Sequence, residues 1–197
     1  MLLNPHTSSR LPPLALILVT LVSCSRGGPA AKSTTVAPPA AAARTPTIDY
    51  FQDAAALASL IKAKYGDDVP LREIVLHQTT ASAEVRSPDD PHGLDSILIT
   101  RGAIGEPRPL DLTGSPRSAD GPDAALFKLS EVDFAQVARM IADAPAQAQI
   151  EGGKVTHLIV HRQLPFHTDV RWRLFVKGPR GSESVDYTLA GAKVESK

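Results

Sequence analysis

The sequence predicts an α+β fold of two α-β-β-β halves, each a helix packed on a small antiparallel sheet. Two observations lead there. An amphipathic helical stretch followed by three short strand-like runs occurs twice, at an offset of 83 to 84 residues. The run "VRWRLFVKG" also places Val170, Trp172, Leu174 and Val176 in alternation with Arg171, Arg173, Phe175 and Lys177, the pattern of a half-buried strand.

The first helix is expected from Asp49, its cap, through "YFQDAAALASLIKAKYG". Apolar side chains recur at Phe51, Ala54, Leu57, Ala58, Ile61 and Tyr65, and Gly66 stops the run. The second helix is expected from "LSEVDFAQVARMIADAP", with Ser130 as its cap, Asp133 in the first turn and Pro145 closing it. Adding 83 to Phe51, Ala54, Ala55 and Ala58 gives Phe134, Val137, Ala138 and Ile141. Both helices therefore carry the same face.

Strands follow in parallel. "REIVLHQ" and "THLIVHR" align near an offset of 84, each placing a histidine after an aliphatic run, at His77 and His161. "SAEVR" answers to "VRWRLFVKG", and "LDSILIT" to "SVDYTLAG". Turns are punctuated by "SPDDPHG" and "GPRG". The halves fall at 47–102 and 130–197, joined by a Pro/Gly-rich linker at 103–129 in which "ALFKL" offers an edge strand. Trp172, the only tryptophan, is expected to be buried against the second helix.

The second half resembles a PepSY-like domain on "VRWRLFVKGPRGSESVDYTLAGAKV", with Trp172, Asp186, Gly191 and Val194 at matching places. The resemblance covers Phe134 to Val194. It implies an envelope-facing, non-enzymatic binding module, sometimes tied to peptidases, and carries over no catalytic residue.

The amino terminus is a different kind of segment. Arg10 and the terminal amine supply positive charge, and Leu14 to Val22 reads "LALILVTLV". That run is about half of the roughly 20 apolar residues a membrane-spanning helix needs. It fits a secretory signal over 1–23. Leu21-Val22-Ser23-Cys24 resembles the lipobox of bacterial lipoproteins. The resemblance implies diacylglycerol on the Cys24 sulfur, cleavage before it and acylation of the new amine. Several acyl chains hold a soluble domain on a bilayer where one does not. Ser25 follows, not Asp, which in that family resembles the default for the outer membrane, facing the periplasm. Residues 24–46 then form a tether whose Ala, Pro, Ser, Thr and Gly cannot bury enough surface to order it.

With Cys24 assigned to lipid, no cysteine remains for a disulfide. Charge is balanced at 21 basic and 21 acidic residues, which gives no field favouring nucleic acid. His157 and His161 would share a helical face, but Ile159 and Val160 favour a strand. There they stand about 13 Å apart, too far for one zinc ion with ligands at about 2 Å. No metal or other cofactor is expected. No Gly-x-Ser-x-Gly elbow or phosphate-binding glycine loop is present. The paired carboxylates Asp67-Asp68 and Asp89-Asp90 fall in turns, where Asp serves backbone geometry.

The expected binding surface is a basic strand face of Arg171, Arg173 and Lys177, with His157 and His161 on the neighbouring strand. It would suit an acidic protein or polysaccharide. The expected function is that of a membrane-anchored envelope lipoprotein acting as a non-catalytic protein-binding or assembly module. An envelope peptidase inhibitor stands second, and a small metal-dependent hydrolase built on the histidines third.

Overall fold

A computed structural model describes residues 47–112 and 122–195. The signal segment, Cys24, the tether and linker residues 113–121 lie outside the described residues. The elements are α1 (Ala54–Tyr65), β1 (Pro70–Leu76), β2 (Thr80–Arg86), β3 (Leu94–Thr100), β4 (Ala103–Ile104), β5 (Arg108–Pro109), β6 (Phe127–Lys128), α2 (Val137–Gln147), β7 (Lys154–Arg162), β8 (Val170–Gly178) and β9 (Gly181–Thr188). The fold is α+β and rich in strand. β3 coincides with "LDSILIT", and "ALFKL" contributes the two-residue β6, which pairs with Pro70 and Leu71 at the start of β1.

The strands do not build two small sheets. They form one open antiparallel sheet of nine strands, in the order β4-β3-β2-β1-β7-β8-β9, with β5 beside β3 and β6 beside β1. β1 and β7 join the two meanders, pairing Glu73 with His161, Ile74 with Val160, Val75 with Ile159 and Leu76 with Leu158. The reason is physical. Each three-stranded meander would expose the N–H and C=O groups of its first strand, and side-by-side pairing satisfies both rows at once.

One sheet face is covered. Leu71, Ile74 and Leu76 of β1, Ala81, Ala83 and Val85 of β2, and Ile97 and Ile99 of β3 are buried there. Leu158 and Val160 of β7, the four alternating apolar residues of β8, and Val185 and Tyr187 of β9 continue the same layer. They belong to a single hydrophobic cluster with Leu57 and Ile61 of α1 and Val137, Met140 and Ala144 of α2. Trp172 is fully buried within it and meets the Phe134 ring edge to face at 5.7 Å.

The helix boundaries differ from the sequence expectation. Asp49 caps a turn, accepting from the amides of Phe51 and Gln52, and Asp53 caps α1 by accepting from Ala56. Ser130 does not cap α2. Its hydroxyl donates to Asp68 at 3.0 Å, and two short 3-10 turns intervene before α2 begins at Val137. Pro145 lies inside α2 rather than closing it. It sits in the last turn, where a missing N–H removes one bond and little helix remains to be disturbed.

Candidate functional site

Alternation sends the remaining side chains of the sheet to the other face, which no helix among the described residues covers. The register orders them in rows. One row runs Ser96, Glu84, Glu73, His161, Arg171, Thr188. The next runs Leu98, Ser82, Val75, Ile159, Arg173, Asp186. The end row holds His77, His157, Phe175 and Ser184. His157, His161, Arg171, Arg173 and Lys177 therefore lie on two adjacent strands, as expected, with His157 opposite Phe175 and His161 opposite Arg171.

The charges on this face are mostly spoken for. The Arg173 guanidinium makes a bidentate pair with Asp186, Nε to Oδ1 at 2.7 Å and a terminal nitrogen to Oδ2 at 2.8 Å. That hydrogen bonding holds the Arg173 pKa above its ordinary value against the opposing effect of burial. Arg171 grips Asp169 in the same way, at 2.6 and 3.0 Å, and the hydrogen bonds push the Asp169 carboxyl below its usual range. Arg72 donates to Glu84 at 2.6 Å, and His161 Nδ1 lies 3.6 Å from Glu73. Lys177 is exposed and has no ion-pair partner among the described residues. Arg171 and Arg173 are thus neutralised by carboxylates of the same chain, and the face is not the free basic stripe that alternation alone implies.

What the face offers instead is apolar and aromatic. The His77 and His157 rings stack at 5.4 Å with planes 26° apart, and His157 stacks on Phe175 at 4.2 Å and 8°. Three rings, one just past the end of β1 and the others on β7 and β8, make one ladder. Burial, and secondarily the His77 charge, lower the His157 pKa. Beside the ladder lie Val75 and Ile159, half-buried, and Leu98, which is 58% exposed.

The face is flat. The cleft between His161, His167, Asp169, Arg171 and Asp186 has no interior room for a water molecule. Among the described residues no three His, Cys, Asp or Glu are arranged to hold a metal ion. Sequence reasoning missed His77 as a partner of His157, and Asp169 and Asp186 as partners of the arginines. The two-residue turn between Gly178 and Gly181 was the available signal for Asp186, because a tight hairpin fixes register.

Comparison with protein-family models, with curated proteins and with solved structures finds no match to this chain.

Proposed function

We propose that the chain is a lipid-anchored lipoprotein of the bacterial envelope whose folded part is a non-catalytic protein-binding or assembly module. The anchor rests on the lipobox-like Leu21-Val22-Ser23-Cys24 after a short apolar run. Ser25 in place of Asp favours the outer membrane, facing the periplasm. The likeness of Phe134–Val194 to PepSY-like domains fits the same reading.

The observation that carries the binding role is the uncovered sheet face. Its ladder of His77, His157 and Phe175 adjoins Val75, Ile159 and Leu98. Rings held flat by stacking present contact area at little entropic cost, and aromatic residues are enriched at protein interfaces. The partner in this reading is an envelope protein with a flat, weakly charged surface.

The two halves fit an origin by duplication. With an offset of 84, Val75 has Ile159 as its counterpart, and these two residues pair directly across the β1–β7 junction. A two-fold relation between the halves would pass through that pair.

Two experiments test the reading. Mass spectrometry of the mature protein is expected to find fatty acid on Cys24, and Cys24→Ser is expected to leave the membrane fraction; absence of acyl mass from the wild type overturns the anchor. Site-specific crosslinking from the open face in intact envelopes is expected to yield a discrete partner, lost in the His157→Ala, Phe175→Ser double variant while far-UV circular dichroism is unchanged. Equal crosslinking in both proteins overturns the face as the docking surface.

A further inference from the structure

At the β3 edge, away from the ring ladder, a pocket of about 460 Å3 opens between the β2–β3 turn, the start of β3 and the segment around β5. That volume lies within the ordinary range for ligand sites, about 300–1,000 Å3. Its walls include Leu94, Pro107 and Pro109, and its polar lining includes Asp89, Asp90 and Asp95.

Asp95 is the anomaly. It shares the inward parity of Ile97 and Ile99 on β3, so its carboxylate is carried to the covered side of the sheet. It is only 7% exposed, its charge acts on the nearby Tyr65 phenol, and its side chain forms no hydrogen bond or ion pair with another described residue. Its strand neighbour Arg108 pairs with Ser96 and so has the opposite parity, and it is not part of the pocket lining. Arg86 is engaged by Asp123 and by the Pro91 carbonyl. A carboxylate mostly removed from water, lining a pocket and with no cation bonded to it, is a ready counter-ion for a cation that enters.

Asp90 is partly occupied, since its Oδ1 accepts the His92 amide at 2.9 Å, and Asp89 stands exposed at the rim. No metal-holding group of three carboxylates forms among the described residues. The apolar walls suit a carbon stem. We propose that this pocket binds an organic cation, an ammonium or guanidinium on an apolar chain, with Asp95 as the buried counter-ion and Asp89 assisting at the entrance. The cation could belong to a free amine or to a basic side chain of a protein.

Calorimetric titration of the full-length chain in detergent tests this, with agmatine and N-acetyl-arginine amide as probes and N-acetyl-citrulline amide as the neutral control. Saturable binding of a cationic probe is expected, weakened tenfold or more in Asp95→Asn and absent for the citrulline control. Binding of agmatine alone assigns the site to free amines, and binding of the capped arginine assigns it to a protein side chain. Should Asp95→Asn fail to fold, Asp89→Asn at the exposed rim is expected to weaken binding several-fold. No saturable binding of either cation, equal binding of the neutral control, or unchanged affinity in the folded variants overturns the proposal.

Discussion

Arg173 of β8 and Asp186 of β9 face each other across the hairpin and close two parallel hydrogen bonds at 2.7 and 2.8 Å. Both side chains are about four-fifths shielded from solvent. The pair therefore has a structural role that an isolated surface lysine lacks. Arg173→Glu is expected to destabilise the fold by about 1.5–3 kcal/mol, the scale of hydrogen bonds to charged groups. Lys177→Glu is expected to stay within about 0.5 kcal/mol. Urea unfolding of the two variants checks the contrast. Equal effects would return Arg173 to the status of a solvated surface charge.

The ring ladder makes stability depend on pH. In the unfolded chain His157 titrates near its ordinary value, about 6.5, and in the fold burial and the His77 charge lower it. Between the two values the unfolded chain binds more protons, so stability falls as pH drops below about 6.5 and through the folded pKa. Thermal unfolding between pH 7.5 and 5 is expected to show this loss. His157→Phe, which keeps a ring on Phe175, is expected to flatten it. A wild-type profile no steeper than that of the variant would remove the effect.

Trp172 is wholly buried with Phe134 edge-on to its indole. The native protein is expected to emit at short wavelength. Phe134→Ala, which removes the lid over the indole, is expected to cost about 3–5 kcal/mol and to shift that emission to the red. An unshifted spectrum together with a small change in stability would contradict the packing.

Two glycines near the β8–β9 end of the sheet differ in what surrounds them. A Cβ on Gly153 would lie 2.8 Å from Val176 Cγ1 and 2.9 Å from the Ile150 carbonyl oxygen, which is backbone and cannot rotate away. Around Gly181 nothing lies within 4 Å. Gly153→Ala is expected to cost about 1–3 kcal/mol, the range for overpacking, and Gly181→Ala to change stability by less than about 0.5 kcal/mol. Chemical denaturation of the pair measures the difference.

Much of the strand layout was legible because side-chain alternation is written residue by residue. "VRWRLFVKG" and "LDSILIT" coincide with β8 and β3, and Trp172 is inside. The β1–β7 junction was not legible, since it is made by main-chain groups that every sequence shares. The beginning of α2 was obscured because Ser130 spends its hydroxyl on Asp68, a residue 62 positions away. The candidate surface was half legible. Parity placed Arg171, Arg173, His157 and His161 on one side, but that the two arginines are paired follows from Asp186, brought in by register, and Asp169, in the loop before β8. Asp95 lies inside the strand run "LDSILIT" at the parity of Ile97 and Ile99, but alternation alone says nothing of the pocket beside it.

The β1–β7 junction also governs how the chain reaches its native state. Each meander closes through short turns, but the seam between them waits on residues 77 to 153 being brought round. Sheets dominated by such distant pairings fold slowly, so the two meanders should form as early, separately marginal units and lock together late. The same geometry makes the connecting region permissive, because doubling a flexible loop costs only about 0.6 kcal/mol. Insertions there should slow the final docking more than they weaken the finished sheet.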